Sequence, residues 1–89
     1  MKRTGRSRFV RNVLIAIGNS EDASLVAEAE RLLDDEAPLV RGAAVWALSR
    51  LAPAGMRALA AERRDREPDP DVQAEWAGAL GSELAPELR

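Results

Sequence analysis

The chain has 89 residues, of which 46% are hydrophobic and only 3% aromatic, and its formal net charge is −2. A chain of this length forms one domain with a small core. It contains no cysteine and no histidine, which excludes disulfides, thiolate-bound zinc or iron–sulfur clusters, and histidine-activated nucleophiles within this chain. The longest apolar run, residues 13–17, is too short for a membrane span or a secretion signal. We therefore expect a non-enzymatic, cytoplasmic module.

Positive charge is concentrated at the N-terminus. Five of the thirteen Lys and Arg residues lie within the first eleven positions, and the first acid is Glu21. The rest of the chain contains the other eight arginines and all fifteen acids. The net charge of −2 is therefore the sum of about +5 at the N-terminal end and −7 in the remainder. This asymmetry indicates an anionic partner for one end of the molecule. A solvated basic tail is the alternative, but the apolar residues around Phe9 and Val10 predict a packed element instead.

Apolar residues recur at spacings of three and four, which is typical of amphipathic helices and predicts an all-α fold. Ser7 is the expected N-cap of a first helix that ends at Ile17, before a Gly-Asn stop signal. Ser20 or Asp22 caps a second helix that ends near Leu33. The residues expected to be buried on this second helix are Leu25, Val26, Ala29, Leu32 and Leu33.

Proline marks the boundaries of the helices in the second half of the chain. A proline in the first turn predicts a third helix over 38–51, and the proline that follows it ends that helix. A shorter fourth helix is predicted over 54–64. Aspartate followed by proline then opens a fifth, which is predicted to end near Gly81. We expect one domain over 1–82 and a frayed tail over 83–89.

Two segments of the chain are similar to each other. LVRGAAVWALS, residues 39–49, matches DVQAEWAGALG, residues 71–81, at an offset of 32, and the first helix fits at an offset of 30 or 31. A period near thirty with two helices per unit is typical of a helical solenoid. DDEAPLVRGAAVWALSRL resembles the HEAT repeat, and we expect a short HEAT-like solenoid of about five helices. A compact helical bundle is the alternative, although it would not require the period.

A more specific resemblance covers residues 2–51. KRTGRSRFVRNVLIAIGNS, followed by RLLDDEAPLVRGAAVWALSRL, resembles the C-terminal HEAT-like region of the tRNA epoxyqueuosine reductases. Two positions depart from that family's pattern: Glu21 stands where glycine is common, and Glu36 where proline is common. The resemblance implies that this chain is an accessory domain of an oxidoreductase. Epoxide reduction, with cobalamin and two [4Fe–4S] clusters, would belong to a preceding catalytic region, so no cofactor is expected in this chain.

With this resemblance, the basic end is expected to dock a tRNA anticodon stem-loop beside the catalytic domain. We also expect no membrane partner, since the longest apolar run is short, and a monomer. Arginines near a helix start can add bidentate phosphate contacts to the anion preference of the helix terminus. Arg11 could instead contact the catalytic domain. The candidate RNA-binding residues are Lys2, Arg3, Arg6, Arg8, Arg11 and Asn12.

Three further positions are open to a structural or a functional interpretation. Arg41 is expected to pair with Asp34 or Asp35 in a structural ladder, and phosphate binding is the alternative. Trp76 is expected in the core, whereas Trp46 fits the core, a domain seam or stacking on a base. The arginines of residues 57–66 alternate with acids and are expected to form a solvated face. The competing function is a protein-interaction scaffold with no RNA contact.

Overall fold

The computed structural model describes residues 3–84, with side chains for residues 5–79. Within this range the chain is helical and contains no strand, so the all-α prediction is confirmed. None of its helices is long and apolar enough to cross a membrane. The α-helices are α1 (Arg3–Gly18), α2 (Val26–Arg31), α3 (Pro38–Leu51), α4 (Met56–Arg63) and α5 (Pro70–Leu84). Single 3-10 turns flank α2 and α4, at Ala23–Leu25, Leu32–Asp34, Pro53–Gly55 and Arg64–Arg66.

The helices form two layers. Helix α3 lies at the centre of one layer and packs against α1 on one side and α5 on the other. Helix α2 packs against α3, and α4 packs against α5, in the second layer. A Cβ built on Gly42, near the start of α3, would lie 3.6 Å from Glu75 and 3.9 Å from Val72 on the first half of α5. The two helices therefore run side by side in the same direction, as equivalent members of successive repeats do.

The core follows the repeat period. At an offset of 32, Val40 corresponds to Val72 and Ala44 to Trp76, and all four side chains are buried. For α1, an offset of 30 aligns Leu14, Ile17 and Gly18 with Ala44, Ala47 and Leu48, all of them buried, whereas an offset of 31 places Gly18 against the half-buried Ser49. The offset of 30 is therefore the better register. The buried apolar residues are Leu14, Ile17, Ala29, Leu32, Leu33, Val40, Ala44, Val45, Ala47, Leu48, Met56, Ala60, Val72 and Trp76.

Helix α1 begins earlier than predicted. Its first residue is Arg3, and Ser7 lies inside the helix with only 7% of its surface exposed. The prediction that Ser7 is an N-cap is therefore wrong. Serine is favoured at N-caps because its hydroxyl accepts an amide hydrogen bond, but a small serine also fits a closely packed helix face. The predicted stop is confirmed, because α1 ends at Gly18.

Hydrogen bonds identify which residues begin the later helices. Asp22, not Ser20, caps the second helical segment: its Oδ1 accepts hydrogen bonds from the Ser24 amide at 3.0 Å and the Ser24 hydroxyl at 2.6 Å. Ser20 instead donates to the Ile17 carbonyl at 2.6 Å and so closes α1. Asp69 caps α5, since its Oδ1 accepts from the amides of residues 71 and 72 at 2.8 and 3.2 Å.

The C-terminal boundary of α5 lies beyond the predicted one. The helix continues to Leu84 and so includes Glu83 and Leu84, which the sequence had assigned to the tail. Residues 85–89 of the predicted tail lie outside the described residues.

Candidate nucleic-acid interface

Two equivalent turns, each between an outer and an inner helix, are built on a carboxylate. In the turn before α3, Asp35 Oδ2 accepts a hydrogen bond from the Ala37 amide at 3.0 Å. In the turn before α5, Glu67 Oε2 accepts one from the Asp69 amide at 2.9 Å. Asp35 and Glu67 are also 32 residues apart. The repeat therefore places a carboxylate at the same position of both turns.

Each of these carboxylates accepts two hydrogen bonds from an arginine of the preceding inner helix. Arg6 of α1 donates to Asp35 at 2.6 and 3.2 Å. Arg41 of α3 donates to Glu67 at 2.9 and 2.8 Å. We call these two ion pairs the first rung, Arg6–Asp35, and the second rung, Arg41–Glu67. Together they tie each inner helix to the turn that precedes the next one.

Arg41 has a structural position. Besides the second rung, its Nη1 donates to the carbonyl oxygens of Asp35 and Glu36, at 3.0 Å each. Its side chain is only 15% exposed. The predicted carboxylate partner of Arg41, Asp34 or Asp35, is wrong. Asp35 is paired with Arg6, and Arg41 pairs with Glu67, in the turn before α5.

The rungs shift the protonation equilibria of their members. The hydrogen bond from Arg6 holds the pKa of Asp35 below its ordinary value, against an opposing effect of burial. Burial tends to raise the pKa of Glu67, but the hydrogen bonds from Arg41 and the Asp69 amide together lower it. The same bonds raise the pKa of Arg6 and Arg41. All four groups are therefore charged at neutral pH.

The cations predicted for RNA binding do not form a single patch. Because α1 begins at Arg3, Arg6 lies in its first turn and Arg8 in its second, rather than before the helix start. At about 100° per residue, Arg6 and Arg8 point about 160° apart. Arg6 is committed to the first rung, although its side chain is 44% exposed. Lys2 and the side chain of Arg3 lie outside the described residues.

Arg8, Arg11 and Asn12 lie together on the exposed surface of α1. Arg8 and Arg11 are three positions apart, so they project from neighbouring positions on one face. Both are exposed, and neither makes an ion pair or hydrogen bond within the part of the chain that the structure describes. Asn12 is also exposed and adjoins Arg11. These three residues are the part of the predicted site that is available to a ligand.

A groove of about 570 Å³ runs across the three inner helices. Its floor is formed by α3, with Leu39, Ala43 and Trp46 among the lining residues. Arg11 lies on the α1 wall. The opposite wall, near the start of α5, carries the carboxylates Asp69, Asp71 and Glu75. The groove is therefore basic on one side, apolar along its floor and acidic on the other.

Trp46 joins α1 to the floor of this groove. A Cβ on Gly18 would lie 2.5 Å from Cζ3 of the Trp46 ring, so only glycine permits this approach. The guanidinium carbon of Arg50 lies 5.5 Å from the ring centroid, within the range of a cation–π contact. Trp46 is half-buried at the seam between α1 and α3, whereas Trp76 is buried as predicted. The exposed part of Trp46 is available to a ligand in the groove.

The acidic wall was not predicted as part of a site. Asp71 and Glu75 are four residues apart on α5, a spacing that places both carboxylates on one helix face. That signal was present in the sequence. The sequence does not predict that this face points into the groove, because that depends on how α5 packs against Gly42 of α3.

The arginines of residues 57–66 have mixed roles. Arg63 donates to Asp34 at 2.6 Å, and Arg66 donates to the Glu62 carbonyl at 3.0 Å. Arg57 and Arg64 are exposed and have no partner among residues 5–79. No cluster of three or more acids within the described range could hold a metal ion.

Comparison with known proteins assigns the repeat. The sequence pattern of the HEAT repeats matches residues 6–85. No curated protein and no solved structure matches the chain. The matched segment covers most of the chain and includes the paired helices and both rungs. The chain therefore belongs to the HEAT repeat family.

Proposed function

We propose that this chain is an RNA-docking HEAT-repeat module that binds the phosphates of an anticodon stem-loop through α1. The observation that carries the proposal is the pair Arg8 and Arg11. They are exposed, unpaired within the described residues and one turn apart, in a segment that contains no acid before Glu21. Arginine binds phosphate through two parallel hydrogen bonds. Asn12, beside them, could reach a ribose hydroxyl or the edge of an unstacked base.

The resemblance of residues 2–51 to the tRNA epoxyqueuosine reductases supports the choice of RNA. In such an enzyme this module would hold the anticodon stem-loop while another region reduces the epoxide with cobalamin and two [4Fe–4S] clusters. The residues of this chain do not fit those groups. It has no cysteine thiolate to bind a cluster and no histidine to bind cobalt. The redox chemistry would therefore be performed by another part of the enzyme.

Backbone amide NMR shifts measured during titration with an anticodon stem-loop test the site. We expect the shifts to concentrate on residues 5–12 of α1. Arg8→Gln/Arg11→Gln should weaken binding by about tenfold or more, because it removes two charge-assisted contacts. The matched control is Arg57→Gln/Arg64→Gln, which removes two exposed, unpaired arginines from the region of α4. Shifts centred on α4, with loss of binding only in this control, would place the RNA elsewhere.

A protein-interaction scaffold is the second candidate function. The observation that favours it is the apolar outer surface of α1, where Phe9 is 65% and Val13 39% exposed. Exposed apolar side chains grouped on one helix face are typical of a protein contact. If the NMR titration shows no RNA binding at low salt, this candidate replaces the first.

A further inference from the structure

The outer face of α1 has the properties of a ligand as well as those of a binding surface. Phe9 and Val13 are four residues apart, so their side chains form one apolar stripe. Arg8, adjacent to Phe9 and about 100° around the helix, flanks this stripe with an unpaired positive charge. The large apolar side chains that the structure shows as exposed are Phe9, Val13 and Leu39. Two of these three therefore lie on this stripe.

The third, Leu39, lies in the groove and is 47% exposed. It shares the apolar floor with Ala43 and Trp46. On the α5 wall, the side chains of Asp71 and Glu75 have no hydrogen-bond or ion-pair partner among the described residues. This surface is therefore complementary to the outer face of α1 in both respects: an apolar floor faces an apolar stripe, and unpaired carboxylates face an unpaired arginine.

We propose that the groove binds helix α1 of a second copy of this chain. Phe9 and Val13 of one copy would cover Leu39 and Trp46 of the other, while Arg8 would pair with Asp71 or Glu75. Arg11 on the α1 wall of the receiving groove fixes the orientation, because it repels an incoming arginine and directs it toward the acidic wall. The opposite charges of the two ends, about +5 and −7, favour the same arrangement over long range.

The contact joins two different surfaces, so it is head-to-tail and not a symmetric pairing of identical patches. A copy that has lost its groove charges can still donate α1, and a copy that has lost its α1 charge can still receive it. This asymmetry distinguishes the proposal from a dimer formed by two α1 stripes. The contact shares Arg8 with the proposed RNA site, but its test is separate from that of RNA binding, because the measurement requires protein alone.

Sedimentation velocity at increasing protein concentration and low salt tests this arrangement. We expect the wild-type chain to associate, and its association constant to fall with added salt. Asp71→Arg/Glu75→Arg and, separately, Arg8→Glu should each reduce that constant by at least about tenfold, since each places like charges in contact. Mixing the two variants should restore association, because the groove retained by the second variant can accept α1 of the first and the reversed charges of the two variants are complementary to each other. Circular dichroism spectra of these surface variants check that they are folded.

Three results would overturn the proposal. If the wild-type chain remains monomeric at every concentration, the groove does not bind α1 of a second copy. Charge-reversed variants that associate like the wild type show that these residues do not form the contact. If Phe9→Ser abolishes association but Asp71→Arg/Glu75→Arg does not, the two α1 stripes pair with each other and the groove is not involved.

Discussion

The α1–α3 and α3–α5 seams share one architectural element but differ in how deeply it is buried. In the first rung the arginine side chain is 44% exposed, and in the second it is 15% exposed, while the acceptor carboxylates are 9% and 8% exposed. Arg41 also satisfies two backbone carbonyls, which Arg6 does not. The arginine–carboxylate pair should therefore contribute more at the α3–α5 seam than at the α1–α3 seam. The first seam relies instead on the close packing of Trp46 against Gly18.

Acidification should have the largest effect on the free energy of unfolding, because it removes the carboxylate charges of both rungs. The pKa values of Asp35 and Glu67 are lowered in the folded protein, as is that of Asp34 beside Arg63. A group with a lowered pKa stabilises the fold above its unfolded pKa of about 4, and this contribution is lost as the pH falls through the folded value. We expect the free energy of unfolding to be nearly constant between about pH 5.5 and 7, because the chain has no histidine.

The same free energy should then fall steeply below about pH 4. Urea unfolding followed by circular dichroism at a series of pH values measures this profile. Asp35→Asn provides the comparison between the seams, since it removes the titration of the first rung and leaves that of the second. A midpoint of stability loss well above pH 5 would contradict the pairing of these carboxylates.

Removing the arginine of each rung compares the seams directly. Arg41→Gln should destabilise the fold by about 2–3 kcal/mol, because it leaves a buried carboxylate and two carbonyls without their donor. Arg6→Gln should cost less, because the Arg6 guanidinium is itself largely exposed and donates to no backbone carbonyl. Urea unfolding of the two variants at neutral pH gives both values. Equal losses would show that burial of the rung does not determine its contribution.

Adding one methyl group tests the packing of the first seam. In Gly18→Ala the new Cβ would overlap the Trp46 ring, so we expect destabilisation by about 1–2 kcal/mol and a shift in tryptophan fluorescence. Gly78→Ala is the matched control. Apart from its chain neighbours and the backbone of its own helix, no atom of the described residues lies within 4 Å of its new Cβ, and alanine should stabilise helix α5 by about 0.5–1 kcal/mol. If Gly18→Ala is also stabilising, the ring moves away freely and the seam is not closely packed.

Replacing Glu21, in the turn between α1 and α2, should have a smaller effect on stability, and this effect should be stabilising. Glu21 adopts a φ of 58°, in the left-handed region that disfavours residues with a Cβ. Glu21→Gly should therefore stabilise the fold by roughly 0.5–1 kcal/mol, whereas Glu21→Ala should not. Thermal unfolding of the two variants measures the difference. A Gly variant that is less stable than the Ala variant would show that this backbone conformation is not populated in solution.

Sequence was most informative where proline and aspartate mark a boundary. Helix α3 has its predicted ends, and Asp69 is the predicted cap of α5. The start of α1 was misplaced because a buried serine inside a helix and a capping serine look alike in sequence. At position 21, where the reductase pattern favours glycine, the structure has the left-handed backbone that glycine accommodates best.

The partners of the charged residues were harder to predict than the helices. The resemblance to HEAT-like repeats implies that the arginine pairs with an acidic turn of a neighbouring unit, but which turn it reaches depends on the stacking of the inner helices. Arg41 therefore pairs with Glu67 and not with Asp35. For the same reason, Arg6 and Arg8 were grouped in one patch although they point to different sides of α1. The acidic wall of the groove, formed by Asp71 and Glu75, became visible only with the packing of α5 against α3.

The proposed RNA contact is tested most directly by the salt dependence of affinity for an anticodon stem-loop. The logarithm of the binding constant should fall linearly with the logarithm of salt concentration, and the slope counts the phosphates that are neutralised. If Arg8 and Arg11 each bind one phosphate, Arg8→Gln/Arg11→Gln should flatten this slope by about 1.5, at roughly 0.7–0.9 per phosphate. Arg57→Gln/Arg64→Gln should leave it unchanged. An unaltered slope in the first variant, with a flattened slope in the second, would contradict RNA docking by α1.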